Sequence, residues 1–277
     1  TSPTLRRETF KTSREMDFFS QKELTTQTGH DPSEWPLVFI KEMIDNSLDA
    51  CDEHEVAPVI TVVADSTGIE VLDNGPGLPE ATLVAALDFK VRASNREAYV
   101  APDRGAQGNA LKTILPMPSV VDAAGRLVIE AHGKRHAIRC RVDEISQRPV
   151  IDDQQDEVDT AGTLVRMEWP TRKIDGIPAW PFEGCRLWRT KEEPGWIAFK
   201  KTIGERAIEL MRGFALFNPH LTLKCDWFGD QFKWQATDTN WQKWKPWWPT
   251  SPHWYELRHL KRLMAAYITN DRDNGRD

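Results

Sequence analysis

The chain has 277 residues, enough for one large domain or for one domain with an appendage. Its formal net charge of -6 at pH 7 argues against a protein whose whole surface binds nucleic acid, but it leaves room for a local basic patch. Four cysteines lie far apart without a C-x-x-C pair, which predicts reduced thiols and neither a disulfide framework nor a zinc site.

The N-terminal part of the sequence predicts a polar arm followed by a helix. Residues 1–20 are mixed in charge and lack the apolar core of a signal peptide, so we interpret them as an N-terminal arm. No apolar run approaches the length of a membrane span, and we therefore expect a cytoplasmic protein without a membrane partner. The N-cap candidates Asp31 and Ser33 precede an apolar pattern that predicts a helix to about His54.

Strand patterns follow this helix. Two β-branched runs predict a hairpin with its tip at residues 66–68, and the stretch 80–89 is typical of a helix. Residues 90–108 are polar and glycine-punctuated without periodicity, which indicates a functional loop. The next segment predicts a helix that Pro116 and Pro118 soon stop.

The second half of the chain predicts more strands and one further long helix. The predicted elements are a hairpin with its turn at 132–134, an acidic turn over 152–162, a strand over 162–170, a helix over 203–217 and a final strand over 220–227. This order predicts an α+β fold, a two-layer sandwich with helices on one face of a mixed, mostly antiparallel sheet. We expect the main domain to cover residues 21–237.

The tail, residues 238–277, reads as a tryptophan-rich connection and the start of a small helical extension. Most of the twelve tryptophans follow Trp169. Aromatic residues between Lys and Arg can stack on nucleic-acid bases, but tryptophans also bury large areas in cores, and we favour packing.

The predicted first long helix carries a polar stripe that an apolar, core-facing helix does not need. Glu42, Asn46 and Asp49 are four and seven positions apart and share one side of the helix. A carboxylate such as that of Glu42 can orient an attacking water, and the amide oxygen of Asn46 suits Mg²⁺ beside phosphates. The alternative for the stripe alone is a solvated helix face, and for Asp49 a structural role.

Two glycine-containing motifs complete a pattern that fits a nucleoside triphosphate. Asp73, at the end of a strand, could accept a hydrogen bond from the amine of adenine, and Gly75 and Gly77 would let the backbone approach the base. Gly105 and Gly108 open a predicted helix and could present backbone N–H groups to phosphates. Lys112, one turn into that helix, is either a phosphate contact or an exposed helix lysine.

In this order the motifs resemble those of the GHKL ATPase superfamily, and within it most closely the B subunit of topoisomerase VI. The stretch KEMIDNSLDACDE is similar to the first family motif, VLDNGPGLP to the D-x-G-x-G motif, and DRGAQGNALK to the lid motif. The strand GTLVRMEWP is similar to the family strand whose threonine joins the adenine-binding aspartate, here Thr163. The segment RASNRE loosely matches another lid segment, with Ser94 and Arg96.

The resemblance implies the Bergerat ATP-binding fold, the ligands ATP and Mg²⁺, and a set of site residues. Glu42 would be the catalytic residue and Asn46 the Mg²⁺ ligand. The implied nucleotide-binding residues are Asn46, Asp49, Asp73, Gly75, Gly77, Ser94, Arg96, Gly105, Ala106, Gln107, Gly108, Asn109, Ala110, Leu111, Lys112 and Thr163.

Two departures from the family pattern leave two functions open. Ala110 replaces the third glycine of the lid motif, a change that resembles the version in mismatch-repair proteins. The family's transducer domain, which supplies a lysine to the γ-phosphate, does not appear in the sequence. One expectation is a slow Mg²⁺-dependent ATPase that dimerises as a gate and acts with a DNA-cleaving partner subunit on duplex DNA. The alternative is an ATP-dependent assembly switch with little hydrolysis and no topoisomerase activity.

Overall fold

The computed structural model of the protein describes residues 18–89, 110–143, 148–169 and 202–241, together with residue 145 and short pieces within 173–178 and 256–268. The helices are α1 (Gln21–Thr28), α2 (Trp35–Glu53), α3 (Glu80–Leu87), α4 (Ala110–Ile114), α5 (Met117–Val121) and α6 (Ile203–Phe217). The strands are β1 (Val59–Ala64), β2 (Gly68–Leu72), β3 (Arg126–Ala131), β4 (Lys134–Asp143), β5 (Arg148–Glu157), β6 (Thr163–Glu168), β7 (Lys173–Ile174), β8 (Ile177–Pro178), β9 (Thr222–Trp227) and β10 (Asp230–Trp234).

Eight of these strands form one mixed sheet in the order β10-β9-β1-β2-β6-β3-β4-β5. Only the β1–β9 pairing within this sheet is parallel, and the remaining neighbours are antiparallel. A parallel neighbour needs a long crossover, and the chain returns to β1 with β9 only after strands β2 to β6 and helix α6 have formed. The predicted α+β fold with a mixed, mostly antiparallel sheet is confirmed.

The two faces of the sheet differ in polarity because side chains alternate along each strand. On one face of β1, Ile60, Val62 and Ala64 are buried and join the core beneath the helices. On the opposite face, Arg166 of β6 binds Asp65 at 2.9 Å and approaches Glu70 at 3.5 Å. One face of the sheet therefore packs against the helical layer, and the other carries ion pairs between charged side chains.

Helix α2 lies over this core and carries the predicted polar stripe. Its apolar side chains recur at helical spacing, so Phe39, Ile40, Met43 and Ile44 are all buried. It contacts β1, β2, β6 and α6. Burying such a side chain stabilises the fold by about 1.5–3 kcal/mol relative to exposure. This packing fixes the helix and therefore the direction in which its polar residues point.

Helix α6 is held by its N-terminal cap. The hydroxyl of Thr202 accepts a hydrogen bond from the N–H of Glu205, whose carboxylate in turn accepts one from the N–H of Thr202. Such a capping box satisfies two backbone donors that the helix cannot pair. Arg206, in the first turn of α6, also forms an ion pair with Glu34 at the start of α2, which ties the two helices together.

Two predictions about the edges of the sheet are wrong: the turn predicted over the acidic stretch, and the position of the strand over 220–227 as the last one. The acidic stretch predicted as a turn forms most of β5, a ten-residue edge strand. Asp and, to a lesser degree, Glu are poor strand formers, but β5 pairs along basic β4, where Arg141 binds Asp152 at 3.1 Å and His136 binds Asp153 at 2.9 Å. Strand β9 is not the final strand, because a two-residue turn leads into β10.

Two further predictions concern the prolines and the cysteines. Helix α4 ends before Pro116 as predicted, but a second short helix, α5, accepts Pro118 in its first turn. Cys51, Cys140 and Cys225 are buried free thiols, as predicted, and burial raises the pKa of each to about 12. Cys185 lies outside the described residues.

Tryptophan packing is also confirmed where it is described. Trp35, Trp169 and Trp227 are buried, and the ring of Trp241 stacks on that of His220 with centroids 4.4 Å apart. Contacts divide the chain into a first unit that includes the described residues up to Trp241 and a second unit that includes the described pieces of 256–268, which are helical apart from residue 256. The boundary predicted at 237/238 stays a prediction. No described helix combines the length and the apolarity that crossing a bilayer requires.

Candidate functional site

The carboxylate of Asp73 is the centre of the candidate site. It lies just after β2, is only 5 % exposed, and accepts hydrogen bonds at Oδ1 from the N–H groups of Gly75 (2.9 Å) and Thr163 (3.0 Å). Its Oδ2 accepts a hydrogen bond from the hydroxyl of Ser47 at 2.9 Å. Burial raises the pKa of Asp73 above its usual range, although these three hydrogen bonds favour the charged form. The structure thus holds one carboxylate in a fixed orientation.

The predicted pair of Asp73 and Thr163 is in contact, through the main chain. The N–H of Asp73 donates to the carbonyl of Thr163 at 3.0 Å, and the N–H of Thr163 donates back to the Asp73 side chain. Thr163 opens β6, the antiparallel neighbour of β2. The end of one strand and the start of the next therefore meet at the carboxylate.

Gly162 makes this close approach possible and was not singled out by the sequence. Its φ of +80° lies in the left-handed region, and a Cβ placed on it would overlap the carbonyl oxygen of Asp73 and lie 3.1 Å from Asp73 Oδ1. The available signal was the Gly-Thr pair at the start of the predicted strand, but its family resemblance concerned only the threonine. Glycine at 162 is therefore required by both the backbone conformation and the lack of space.

We expect Gly162→Ala to lower the free energy of unfolding by roughly 2–5 kcal/mol, which is the left-handed cost of 1–2 kcal/mol plus 1–3 kcal/mol for forcing a methyl group into a filled space. Gly229→Ala is the matched control, because Gly229 also has a positive φ, +90°, but nothing within 4 Å of its would-be Cβ. Urea unfolding of both variants measures the difference. Equal losses would show that the contact with Asp73 contributes nothing.

Ser47 is a second residue that the sequence analysis missed. It lies next to Asn46 on α2, faces inward, and is 6 % exposed. The available signal was a lone hydroxyl at a core-facing position, four residues from both Met43 and Cys51, since a buried hydroxyl requires a partner. Through its bond to Asp73, Ser47 links the polar stripe of α2 to the glycine loop.

The three stripe residues of α2 lie in different environments. Asn46 is exposed, Glu42 is half-buried, and Asp49 is buried at 7 % exposure. The Nζ of Lys41 lies 2.8 Å from Glu42 Oε1 and 3.1 Å from Asp45 Oδ2. Burial opposes the charge of Lys41, but its contacts with Glu42 and Asp45 raise its pKa overall. Glu42 and Asn46 are therefore accessible to a ligand, whereas Asp49 is enclosed and makes its contacts within the domain.

The loop after Asp73 is anchored to the sheet by Asn74. Its side-chain carbonyl accepts a hydrogen bond from the N–H of Val59 at 2.7 Å, and its amide donates to the carbonyl of Ala57 at 3.0 Å. The would-be Cβ of Gly75 lies 3.1 Å from Asp73 Oδ1, tighter than an ordinary contact. Gly77 is buried and has a φ of +93°. Both predicted glycines thus sit where a larger residue is disfavoured.

Of the predicted lid motif, the structure describes only the C-terminal part. Ala110 and Leu111 are half-buried in α4, and Lys112 is 3 % exposed. The ammonium of Lys112 donates to the carbonyl of Asp88, the C-cap of α3, at 2.7 Å, and burial lowers the pKa of Lys112. Lys112 is therefore not an exposed helix lysine; its role toward phosphate stays a prediction. The predicted residues outside the described part of the chain are Ser94, Arg96, Gly105, Ala106, Gln107, Gly108 and Asn109.

The sequence of this chain is similar to that of the B subunit of type 2 DNA topoisomerase 6 from several archaea. A stretch of 108 residues is 30% identical to the protein of Thermococcus sibiricus and covers 37% of this chain and 19% of that protein. A stretch of 81 residues is 36% identical to the protein of Archaeoglobus fulgidus, covering 28% and 13%. A longer stretch of 150 residues is 24% identical to the protein of Methanosarcina acetivorans, covering 50% and 24%. The matches thus span a quarter or less of these relatives.

Solved structures of MutL ATPase domains also align with the chain. The ATPase domain of Aquifex aeolicus MutL complexed with ADP aligns at a TM-score of 0.36 and 15% identity, over 82% of this chain and 67% of that one. Another structure of the ATPase domain of the same mismatch repair endonuclease aligns at 0.35 and 16%, over 72% and 58%. A likeness at these scores carries no functional argument. No protein-family model matches the chain.

The predicted resemblance is confirmed. The chain is similar in sequence to the B subunit of type 2 DNA topoisomerase 6, the protein that its motifs resemble most closely among those of the GHKL ATPase superfamily. The roles of the individual site residues stay predictions.

Proposed function

We propose that this chain binds ATP and hydrolyses it slowly with Mg²⁺, as a domain that dimerises in the ATP-bound state. The observation that carries the proposal is the buried carboxylate of Asp73, held by Gly75, Thr163 and Ser47. A pre-oriented buried acceptor is the feature that recognises an exocyclic amine and rejects a base without one. Ser47 lies beside Asn46 on α2, so the same helix can reach the phosphate end of the ligand.

The exposed face of α2 fits the metal that the resemblance implies. Asn46 offers a neutral amide oxygen at an exposed position, and Mg²⁺ prefers oxygen ligands supplied by one or two side chains together with phosphates and water. Bound Mg²⁺ would offset the charge of the phosphates. Glu42, one turn earlier on α2, would orient the attacking water and accept its proton.

Two further parts of the proposal rest on the sequence similarity to the B subunit of topoisomerase 6. We propose that two copies of the domain close on each other when ATP binds, and that closure forms a gate for duplex DNA. The similar proteins are each one subunit, named B, of a DNA topoisomerase. We therefore propose that DNA cleavage, where it occurs, belongs to a separate partner subunit.

An assembly switch driven by ATP binding alone is the second candidate. One observation favours it: the Glu42 carboxylate already shares the ammonium of Lys41 at 2.8 Å, so part of its hydrogen-bonding capacity is used before water arrives. In this second function ATP would change the association of the chain without being consumed. Both functions require the same nucleotide site and differ in whether phosphate is released.

The proposal is tested on the purified full chain by three measurements. Calorimetry with ATP and Mg²⁺ measures binding, steady-state phosphate release measures turnover, and size-exclusion chromatography with a non-hydrolysable ATP analogue measures dimerisation. We expect binding, slow release, and a shift to a dimer. Binding and a dimer without phosphate release would favour the switch, and an absence of binding would overturn both functions. An unchanged monomer at high protein concentration would contradict dimerisation.

A further inference from the structure

A cavity of about 470 Å³ lies on the charged face of the sheet, over strands β3, β4 and β5. Leu127 of β3 pairs with Ile138 of β4, and both belong to the core beneath the helices. Their neighbours Arg126 and Arg139 therefore point to the opposite face, where both line the cavity. Cavities of this size accommodate small ligands. Because α2 packs on the other face, this cavity is separate from the candidate nucleotide site.

Arg139 is the arginine of this face that has no partner. The others form ion pairs: Arg126 with Glu168, Arg135 with Glu130, Arg141 with Asp152, and Arg166 with Asp65. Arg139 is exposed, and within the described part of the chain its guanidinium makes neither a hydrogen bond nor an ion pair. The register places Asp152 directly across from Arg139, but the carboxylate of Asp152 binds Arg141 at 3.1 Å. A full positive charge is thus left at the wall of the cavity.

Arg126 adds a second set of donors beside Arg139. The two residues lie opposite each other on β3 and β4, each next to the Leu127–Ile138 pair. The Nε of Arg126 donates to Glu168, and its two Nη groups make no hydrogen bond to any of the described residues. Like charges directly opposite each other destabilise a sheet, and an anion between them removes that cost. Guanidinium groups also match the oxygens of carboxylate and phosphate groups in geometry.

The acidic residues of β5 limit the kind of anion that fits. This edge strand carries four of them, Asp152, Asp153, Asp156 and Glu157, and the first two line the cavity. A polyanion such as duplex DNA would bring several phosphates close to these carboxylates, and the juxtaposition of like charges disfavours such a complex. A ligand with a single anionic group avoids this repulsion. The amide of Gln154, also at the cavity, can bind a neutral polar group of the same ligand.

We propose that this cavity binds a small molecule through one oxyanion group, a phosphate or a carboxylate, held between the guanidinium groups of Arg126 and Arg139. The site lies on the opposite face of the sheet from α2 and does not depend on the proposed nucleotide function. Arg139 is its main determinant, because Arg126 already contributes its Nε to Glu168.

The test uses the full chain and three variants. Arg139→Gln removes the charge, whereas Arg139→Lys keeps the charge and removes the forked donors. Arg212→Gln is the matched control, because Arg212 on α6 is also exposed and also makes no hydrogen bond or ion pair with the described residues. Calorimetry measures the binding of two probes, inorganic phosphate and acetate, at equal ionic strength so that screening is the same.

We expect wild type to bind at least one probe and Arg139→Gln to bind it about 10- to 100-fold more weakly, the range for losing hydrogen bonds to a charged group. Arg139→Lys should lose less, and Arg212→Gln should bind as wild type does. Phosphate that binds at the nucleotide site would bind wild type and Arg139→Gln alike, so their difference reports on the cavity. Binding of phosphate alone, or of acetate alone, identifies the anionic group. Wild type that binds neither probe, or equal affinity in Arg139→Gln, would overturn the site.

Two further measurements distinguish this site from other roles of Arg139. Because Arg139 faces Arg126 without a partner, Arg139→Gln should unfold at the same urea concentration as wild type or at a higher one. A lower midpoint would show that the guanidinium stabilises the sheet, and would overturn its assignment to a ligand. A short DNA duplex serves as a third probe: DNA binding that is lost in Arg139→Gln but kept in Arg212→Gln would overturn the small ligand in favour of nucleic acid.

Discussion

Asp73→Asn is expected to remove measurable ATP binding while leaving the fold in place. The carboxylate would be the acceptor for the amine of adenine, and asparagine presents an amide N–H₂ to that amine in place of an oxygen. Losing a hydrogen bond to a charged acceptor costs about 1.5–3 kcal/mol, and the two opposed donors add to this, so affinity should fall by about two orders of magnitude or more. Calorimetry with ATP and Mg²⁺ on wild type and variant measures the loss.

The fold should survive Asp73→Asn because asparagine can keep most of the observed hydrogen bonds. Its Oδ1 can still accept from the N–H groups of Gly75 and Thr163, and its Nδ2 can donate to the hydroxyl of Ser47, which accepts as well as donates. Ser47→Ala is the control that removes one partner of the carboxylate and keeps the charge. It should weaken binding far less than Asp73→Asn, and equal losses would contradict a direct role of Asp73 at the base.

The pH dependence of the two proteins gives an independent check. Burial raises the pKa of Asp73, so the ATP affinity of wild type should fall as the pH is lowered toward this raised pKa. The contribution of Asp73 to the free energy of unfolding changes with pH in the opposite direction. Because the folded state binds the proton more tightly than the unfolded state, this group lowers the free energy of unfolding as pH rises from the usual aspartate range through the raised pKa. Urea unfolding across that range should show a smaller decrease for Asp73→Asn.

The elements that the sequence predicted well are those with a strong periodic pattern. Helix α2 and the β1–β2 hairpin were predictable from the spacing of their apolar residues. Each element buries one face, so its apolar residues recur at the period of a helix or of a strand. Strand β5 could not be predicted in this way, since its Asp and Glu residues have low strand propensity and the strand is stabilised by cross-strand pairing with the basic residues of β4. The β9–β10 turn begins with Phe228, a residue that gives no turn signal.

The candidate site was predictable only for residues that belong to the ordered motifs. The order of motifs identified Asp73 and Thr163, and the structure brings them together. Ser47 and Gly162 were missed because each contacts Asp73, a residue that is distant from both in the sequence. Such contacts depend on the register of the sheet and on helix packing, and a linear pattern carries neither.

Glu42→Gln is expected to abolish most ATP turnover while ATP binding stays within a few-fold of wild type. A carboxylate that orients water and accepts its proton contributes about 10²- to 10⁴-fold to the rate, and glutamine cannot accept that proton. Glutamine keeps an oxygen at the position that Lys41 contacts at 2.8 Å, so the helix and the lysine need not rearrange. Steady-state phosphate release and calorimetry on the same preparation separate the effect on turnover from the effect on binding.

Asp45→Asn is the matched control, since it makes the same change from acid to amide on the other carboxylate that Lys41 contacts, at 3.1 Å. If the charge around Lys41 alone governs the rate, both variants should slow turnover to a similar extent. If Glu42 is the general base, Asp45→Asn should keep most of the wild-type rate and only Glu42→Gln should lose it. Turnover that survives in Glu42→Gln would show that Glu42 is not the general base, whereas ATP binding without phosphate release by wild type would favour the switch for assembly.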